Sequence, residues 1–545
     1  MTILSRLAAF GAMLLGAVTP ALAADGPVVH APAGAVRGVA TGDLHVFRGL
    51  PYALPPVGPA RWTAPVAMPP WPGVRPATRF GAACIQPPSR PGSIYAADHA
   101  ALSEDCLTLN VWAPAAAGGA PVFVWIHGGS LTTGSGAEPM YDGAALARRG
   151  LVVVTMNYRL GVLGWLAHPE LSAESPDAVS GNYGLLDQIA ALRWVKDNIA
   201  AFGGDPANVT VAGESAGALS VMYLMASPRA RGLFAKAIAQ SAYMITTPDL
   251  KRRRFGVEPA EAAGSRLGTA LGAGDIAALR AMDGAALTAA AQKAGFFPFG
   301  AVDGQVLPDQ LVTLFDKGAQ APVPILAGFN SGEIRSLRFL LPPAPADAAA
   351  YEAAIRAGYG ALAPAFLARY PADAVDESML AAVRDAMYGW TAERLVAAQG
   401  ARGLPSFLYL FDHGYPAADA AGLHGFHAGE LPYVFGTIAD TPRYWPPIPD
   451  SAGERALSTA MADYWAAFAR TGAPQATGQP AWQPYARDGA YMHFADVPRA
   501  ETGLLSGMFA LHEAVVCRRR AADIAWNWNI GIVAPPLPPA AAGCE

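Results

Sequence analysis

The sequence is poor in charge. Of its 545 residues, 15% are Asp, Glu, Lys or Arg, and the net charge is only -5, whereas an average soluble domain has roughly 25% charged residues. Because 52% of the residues are hydrophobic, we expect a large interior relative to the surface. The longest basic runs are 251–254 and 518–520. This composition argues against nucleic acid as a partner.

Long hydrophobic runs are also scarce. Apolar runs such as 122–126 and 151–156 have the length of a strand, so no membrane span is predicted there. The N-terminus differs: a basic residue, an apolar run over 7–18 and Ala-Leu-Ala at 21–23 predict a cleavable signal peptide over residues 1–23. An uncleaved anchor is disfavoured, because a spanning helix needs about 20 apolar residues. We therefore expect a secreted or periplasmic protein.

Cysteines are few. The chain has Cys84, Cys106, Cys517 and Cys544 and no C-x-x-C pair, which disfavours a thiol nucleophile or a cysteine metal site. Export to an oxidising compartment permits disulfide bonds. Two are possible: Cys84 with Cys106, closing a loop of about 20 residues worth about 3 kcal/mol, and Cys517 with Cys544.

Internal repeats are absent, which excludes solenoid and propeller folds. Between about residues 120 and 412, short apolar runs alternate with helical patterns, as in a parallel sheet buried on both faces. Strands are expected at 121–126, 151–156, 209–212, 235–240, 323–327 and 406–411. An apolar stripe from Leu185 to Phe202 predicts a helix that ends at Gly203. We predict a single large α/β domain over 24–545, with helical insertions at 250–320 and 343–402.

One motif points to a nucleophile. Residues 213–217, Gly-Glu-Ser-Ala-Gly, fit G-x-S-x-G, in which a sharp strand-to-helix turn exposes a serine hydroxyl above a sheet. An ordinary glycine-rich turn also fits the pattern. The predicted strand at 209–212 and the helix-prone segment 218–225 supply the context that the motif requires. Ser215 is therefore the candidate nucleophile.

A second glycine motif, His127-Gly128-Gly129-Ser130, directly follows the predicted strand 121–126. Its backbone N–H groups could stabilise a tetrahedral oxyanion, a contribution of about 3 to 4 kcal/mol per donor. A plain tight turn is the alternative interpretation. The two motifs stand in the chain order of a nucleophile and its oxyanion hole.

A serine nucleophile needs a base and an orienting acid, expected in the order Ser, acid, His. Glu333 follows the predicted strand 323–327, and His424 and His427 follow the strand 406–411. Catalytic groups in open α/β sheets collect beyond the carboxyl ends of strands. The other histidines after the serine are His413, His493 and His512.

The same histidines allow a metal site. His424, His427 and Glu430 have i, i+3, i+6 spacing, which can share one helix face. Gly425 and Gly429 oppose a stable helix there, and no H-E-x-x-H occurs in the sequence. The metal interpretation is therefore disfavoured.

Together these residues resemble the type-B carboxylesterase family, which includes cholinesterases, bacterial p-nitrobenzyl esterases and the non-catalytic neuroligins. The likeness covers nearly the whole mature chain. Besides the Ser215 motif, the matching segments are 47–52 (FRGLPY), 104–107 (EDCL), 181–188 (GNYGLLDQ), 202–206 (FGGDP), 427–431 (HAGEL) and 433–436 (YVFG). The resemblance implies an α/β-hydrolase fold, a small-molecule ester substrate and no cofactor or metal.

The resemblance also implies roles for single residues. They are Ser215 as nucleophile, Glu333 as acid, His427 rather than His424 as base, and the N–H groups of Gly129, Ser130 and Ala216 as oxyanion donors. Glu214 and Ser241 are expected beside the triad, together with a Cys84–Cys106 disulfide and an Arg61–Glu104 ion pair. The implied mechanism is acyl transfer through an acyl-enzyme.

Three features depart from the family. Ser130 stands where the family usually has Gly or Ala, and the spacing of Cys517 and Cys544 is unusual. No tryptophan lies between Cys84 and Cys106, where cholinesterases hold quaternary ammonium by cation–π attraction, so a choline ester is disfavoured. A specialised ester (a polyester or a mycotoxin side chain), a lactone, a carbamate or an amide remains an alternative substrate. A non-catalytic binding module is the less favoured alternative.

Overall fold

The computed structural model of the protein describes residues 26–526 and 528–544. The predicted signal peptide, residues 1–23, lies outside the described residues. Among the helices of the described part, none has the length and apolar composition that a bilayer crossing requires.

Sixteen strands are present in the described residues. They are β1 (Val28–Ala31), β2 (Gly34–Arg37), β3 (Val39–Thr41), β4 (Leu44–Pro51), β5 (Val74–Pro76), β6 (Ala83–Cys84), β7 (Leu102–Ser103), β8 (Thr108–Pro114), β9 (Ala120–Ile126), β10 (Val152–Met156), β11 (Gly204–Glu214), β12 (Lys236–Gln240), β13 (Ile325–Asn330), β14 (Ser406–Phe411), β15 (Ala490–Phe494) and β16 (Pro498–Thr502). Eleven form one sheet in the order β16-β15-β14-β13-β12-β11-β9-β10-β8-β4-β3, and two small sheets have the orders β1-β2-β5 and β6-β7.

The centre of the large sheet is parallel. Strands β10, β9, β11, β12, β13, β14 and β15 pair in parallel, and antiparallel pairs occupy both edges. The mostly parallel sheet predicted from the sequence is confirmed. Two strands extend several residues beyond the expected ranges: β11 begins at Gly204, five residues early, and β13 continues to Asn330, three residues late. The periodicity missed these ends because Asp205, Pro206 and Asn330 lack strand propensity.

The α-helices of the described residues pack around this sheet. They are α1 (Ala144–Ala147), α2 (Gly161–Trp165), α3 (Pro169–Glu174), α4 (Tyr183–Asn198), α5 (Ala216–Ala226), α6 (Ala260–Ala270), α7 (Ile276–Ala281), α8 (Gly284–Lys293), α9 (Leu311–Asp316), α10 (Ala348–Tyr359), α11 (Ala363–Arg369), α12 (Val375–Arg384), α13 (Trp390–Gly400), α14 (Pro416–Ala420), α15 (Leu431–Phe435), α16 (Ala452–Thr471) and α17 (Met508–Ala521). The predicted insertions are helical: α6 to α9 lie in the first and α10 to α13 in the second.

Helix α4 shows how the sequence sets these boundaries. Its last turn tightens into a 3₁₀ helix, Ile199–Phe202, and Gly203 ends it at φ +83°. A left-handed residue at a helix C-terminus is usually glycine because glycine lacks a Cβ atom. The predicted stop is therefore confirmed, and the chain enters β11 directly.

Strand β9 shows why both faces of the sheet are covered. Val122, Val124 and Ile126 belong to the hydrophobic core on one face, whereas Phe123 and Trp125 belong to the core on the other. Successive strand residues point to opposite faces, so a continuous apolar run needs helices on both sides. The polar groups of the site are consequently confined to the strand ends.

Both possible disulfide bonds are present. Cys84 is joined to Cys106 and Cys517 to Cys544. The first closes the loop that contains β6 and β7, and the second ties the end of the described chain to α17.

Candidate active site

Ser215 lies in the turn between β11 and α5. Its backbone has φ +56° and ψ -120°, an unusual conformation for a residue with a side chain. The Ser215 N–H donates to the carbonyl of Gln240 at 2.9 Å, which fixes the turn to the end of β12. This is the strand-turn-helix context that the motif predicts.

The two glycines of the motif are required by close backbone contacts. A Cβ atom on Gly213 would lie 2.5 Å from the carbonyl carbon of Gly217, and one on Gly217 would lie 2.1 Å from the carbonyl oxygen of Ile126. Both distances are far below a normal contact. The glycines therefore let α5 begin immediately above β9.

The candidate oxyanion loop runs beside this turn. A Cβ atom on Gly128 would lie 3.3 Å from the Cβ of Ser215, so the two segments are in contact. Gly129 and Ser130 both have positive φ, at +96° and +55°, and both are exposed. The Nδ1 atom of His127 lies 2.9 Å from the carbonyl of Gly128. This contact holds the first peptide of the loop.

Glu333 lies just beyond β13, in a 3₁₀ turn over Glu333–Arg335. Its side chain is completely buried. One carboxylate oxygen accepts a hydrogen bond from the backbone N–H of Asn330 at 2.9 Å, and the other is hydrogen-bonded to Nδ1 of His427. The acid and the candidate base are thus in direct contact.

His427 is carried by the loop that follows α14. The amide of Asn330 donates to the carbonyl of Phe426 at 2.7 Å, and the N–H of Gly332 donates to the carbonyl of Gly425 at 2.7 Å. The same short segment after β13 therefore positions Glu333 and the histidine loop. The side chain of His427 is only 8% exposed.

The second imidazole nitrogen of His427 faces another carboxylate. Its Nε2 atom lies 3.1 Å from Oε1 of Glu214, the residue before Ser215. Burial would lower the pKa of His427, but the neighbouring carboxylates, Glu214 foremost, raise it to about 9. Burial also raises the pKa of Glu214 to about 8. Among the described residues the hydroxyl of Ser215 has no hydrogen-bond partner.

Glu430 is completely buried and belongs to a polar network. Its two carboxylate oxygens accept hydrogen bonds from Gln240 at 2.9 Å and from Asn330 at 2.6 Å. Glu430 is therefore turned away from a metal position beside His424. Within the described residues no group of three or more His, Cys, Asp or Glu is arranged to hold a metal ion.

His424 pairs with two carboxylates other than Glu333. Its ring nitrogens pair with Asp419 at 2.8 Å and Asp412 at 3.3 Å, and its side chain is 43% exposed. These two carboxylates raise its pKa to about 9, with the hydrogen bond to Asp412 as the largest cause. The structure thus brings His427, and not His424, to Glu333.

The remaining histidines form hydrogen bonds with residues other than Glu333. His413 is hydrogen-bonded to Glu454, His493 to Asp412 and Glu501, and His512 to Tyr370. Burial lowers the pKa of His512 to about 4.

The structure also places the other residues named from the sequence. Ala216 is the first residue of α5 and is fully buried. Ser241 follows β12 and is fully buried, with its N–H bonded to the carbonyl of Gly328. Arg61 and Glu104 form a largely buried ion pair at 2.6 Å, and Glu104 lies within the loop that the first disulfide closes.

Sequence reasoning missed several contacts of the site. The hydroxyl of Tyr95 lies 2.8 Å from the carbonyl of His427 and 2.7 Å from the hydroxyl of Ser336. The ring of Tyr388 lies 5.4 Å from the His427 ring. Neither tyrosine belongs to a local motif, and only spatial proximity identifies them.

Comparisons with known proteins agree with this architecture. The model of the Carboxylesterase family matches residues 25–509. The Fumonisin B1 esterase of Sphingopyxis macrogoltabida is 40% identical over 90% of this chain and 91% of its own length. The para-nitrobenzyl esterase of Bacillus subtilis is 36% identical over 85% of this chain and 94% of its own length.

Solved structures show the same fold. A PNB esterase structure superposes with a TM-score of 0.76 at 32% identity and covers 89% of this chain and 99% of its own. The protein therefore has the α/β-hydrolase fold and belongs to the carboxylesterase family of carboxylic-ester hydrolases.

Proposed function

We propose that the protein is a secreted or periplasmic serine carboxylesterase that uses Ser215, Glu333 and His427 as its catalytic triad. The observation that carries this proposal is the imidazole of His427, which bonds Glu333 through Nδ1 and directs Nε2 toward the turn of Ser215. A base oriented by a buried acid beside a serine turn is the arrangement that acyl transfer needs.

In the first step, the Ser215 oxygen attacks the carbonyl carbon of the ester and forms a C–O bond. The serine proton passes to Nε2 of His427, and the carbonyl π electrons move onto the oxygen. The N–H groups of Gly129, Ser130 and Ala216 stabilise the resulting oxyanion. Both loop residues are exposed, so their N–H groups are open to a substrate.

In the second step, the tetrahedral intermediate collapses and breaks the bond to the leaving alcohol, which takes the proton from His427. The acyl group remains on Ser215. Water then gives a proton to His427 and attacks the acyl-enzyme, and the acid leaves as the Ser215 hydroxyl re-forms. Glu333 keeps its negative charge throughout and stabilises the imidazolium.

Glu214 acts on the base in this scheme. Because Nε2 of His427 lies beside Glu214 in the free protein, we propose that the imidazole turns toward the Ser215 hydroxyl when substrate binds. Catalytic hydrogen bonds that are loose in a free enzyme tighten in the Michaelis complex. The negative charge of Glu214 also favours the imidazolium formed during attack.

The localisation rests on two features. The predicted signal peptide over residues 1–23 directs export, and the disulfides Cys84–Cys106 and Cys517–Cys544 suit an oxidising compartment. After removal of the signal peptide, we propose that residues 24–545 act as one domain.

Labelling with a fluorophosphonate tests the nucleophile. We expect covalent labelling of the wild-type protein and none of Ser215→Ala, with loss of p-nitrophenyl butyrate hydrolysis. Ser506→Ala, at an exposed serine, is the matched control and should behave as wild type. Persistent labelling of Ser215→Ala would reject the assignment.

Paired alanine variants test the base. His427→Ala should reduce kcat by at least about 10³-fold, whereas His424→Ala should keep kcat within a few fold. Equal losses in both variants would contradict the proposed role of His427.

A panel of esters defines the substrate class. The panel varies acyl length and alcohol separately and includes fumonisin B1, because the relative that is 40% identical carries the name Fumonisin B1 esterase. A lactone, a carbamate and an amide are the further arms. Lack of turnover of every compound by folded protein would instead favour a binding module.

A further inference from the structure

The segment between α12 and α13 carries a tyrosine into the candidate site. Residues Asp385–Gly389 form a π-helical turn, a rare element that often marks functional sites. Tyr388 lies in this turn, is only 2% exposed, and its ring centroid lies 5.4 Å from that of His427. The wider turn thus places an aromatic wall against the base.

A second tyrosine continues this wall. Tyr243 follows β12, two residues after Ser241, and its ring meets Tyr388 edge to face at a centroid distance of 6.1 Å. The two side chains come from different elements, one from the segment after β12 and one from the turn between α12 and α13. Tyr388 contacts His427 directly, and Tyr243 contacts Tyr388.

The hydroxyls of both tyrosines have no hydrogen-bond partner among the described residues. Buried tyrosine hydroxyls usually find one. Two neighbours do: Tyr95 lies 2.8 Å from the carbonyl of His427, and Tyr158 donates to the carbonyl of His127 at 2.9 Å. Unlike Tyr95 and Tyr158, Tyr388 and Tyr243 thus present two unused donors.

The charges around these hydroxyls keep them protonated. Burial raises the pKa of Tyr388 well above its usual value, and the carboxylate of Glu333 raises it further. Burial likewise raises the pKa of Tyr243, with Glu214 among the contributing charges. Both phenols therefore act as donors at any physiological pH.

We propose that Tyr388 and Tyr243 are specificity-determining residues whose hydroxyls donate hydrogen bonds to a second oxygen of the substrate, so that the enzyme favours hydroxylated or carboxylated esters over plain alkyl esters. This inference rests on the proposed function. Tyr388 is buried and Tyr243 is partly buried. A plain alkyl ester gives neither hydroxyl an acceptor, and a site built to bond a substrate oxygen discriminates against analogues that lack it.

The test compares esters that differ by one oxygen function. Ethyl butyrate is the plain ester, and ethyl 3-hydroxybutyrate, 2-hydroxyethyl butyrate and monoethyl succinate carry the oxygen on the acyl or alcohol side. Hydrolysis is followed by acid release in a pH-stat. We expect wild-type kcat/KM to be higher for at least one oxygen-bearing ester than for ethyl butyrate.

Phenylalanine variants test whether the two tyrosine hydroxyls cause this substrate preference. Tyr388→Phe and Tyr243→Phe should each lower the ratio of kcat/KM for the preferred ester to kcat/KM for ethyl butyrate about 5- to 10-fold, as for one lost hydrogen bond. Tyr444→Phe, at a side chain that is 47% exposed, is the matched control. Each change removes one oxygen atom and keeps the ring, so folding should persist, and thermal melting verifies it.

The outcomes separate the two proposals. If wild type prefers ethyl butyrate, or if both tyrosine variants change all four esters equally or not at all, the inference about the tyrosines is wrong while ester hydrolysis stands. If wild type hydrolyses no ester and Ser215 is not labelled by a fluorophosphonate, the proposed function itself is wrong.

Discussion

Replacing Glu214 by glutamine should move the pH dependence of catalysis toward acid. The base must be unprotonated to accept the serine proton, so kcat/KM should rise with pH and reach half its maximum at the pKa of His427, raised to about 9. The Glu214 carboxylate lies 3.1 Å from Nε2 and is the strongest of the groups that raise this pKa. Glutamine keeps the size and removes the charge.

The size of the shift follows from the contact distance. An opposite charge within about 4 to 6 Å changes a pKa by about 1 to 3 units, and burial alone would lower the imidazole pKa. Without Glu214 the midpoint of the profile should therefore fall by about 1 to 3 units. Between pH 8 and 9, where the Glu214 carboxylate is largely ionised, the fraction of unprotonated His427 should rise by up to about 10-fold.

The assay is the kcat/KM of p-nitrophenyl butyrate measured from pH 5 to 10 for Glu214→Gln and the wild type. Glu138→Gln is the matched control, because burial raises the pKa of Glu138 to about 7 yet its carboxylate is not among the main groups that shift His427. The comparison uses midpoints only, so the height of the plateau in Glu214→Gln does not enter it. An unchanged midpoint, a basic shift, or an equal shift in Glu138→Gln would refute the electrostatic argument.

Three further substitutions distinguish contacts that affect catalysis from contacts that stabilise the fold. Tyr95→Phe should lower kcat about 5- to 10-fold and leave the melting temperature nearly unchanged, because one hydrogen bond to the loop of the base is lost; an unchanged kcat would contradict this. Asp187→Asn should reduce the free energy of unfolding by about 3 to 5 kcal/mol, since it leaves the buried Arg159 unpaired, and denaturant titration measures the loss. Replacing Cys517 and Cys544 by serine should cost about 3 to 4 kcal/mol, as expected for a loop of 27 residues, and an unchanged urea midpoint would show that this crosslink does not stabilise the fold.

The nucleophile turn could be located from the sequence because its determinants are local. Gly213 and Gly217 leave room for backbone atoms that approach within 2.5 Å and 2.1 Å of a Cβ position, and no other residue fits. The apolar run of β11 and the helical pattern of α5 flank them directly. The residues that determine this turn therefore all lie close together in the sequence.

The choice between His424 and His427 could not be made from a local pattern. Both lie in one loop after β14, and neither periodicity nor spacing separates them. In the structure, Asp412 and Asp419 pair with His424, whereas Glu333 pairs with His427. The three-dimensional arrangement of three loops decides which carboxylate each histidine meets. The choice of His427 came in advance only from the resemblance to a known family.

The tyrosines of the site were beyond sequence reasoning for a different reason. The contact of Tyr95 with His427 spans 332 residues, and the π-helical turn that carries Tyr388 leaves no recognisable pattern within a helical segment. A tyrosine in such a segment is normally read as part of the core. Only its unpaired hydroxyl, visible in three dimensions, distinguishes it.

Three residues of the candidate site have strained backbone conformations, and the large sheet holds them in place. Ser130, Ser215 and Ala428 all have positive φ, at +55°, +56° and +65°, a conformation that costs on the order of 1 to 3 kcal/mol for a residue with a side chain. Each lies in one of the loops that carry the proposed oxyanion donors, the proposed nucleophile and the proposed base. Such strain persists only where the surroundings determine the backbone, and here the buried ends of β9, β11 and β14 do so. The apolar strands that first suggested the fold therefore also hold the loops in the geometry that ester hydrolysis requires.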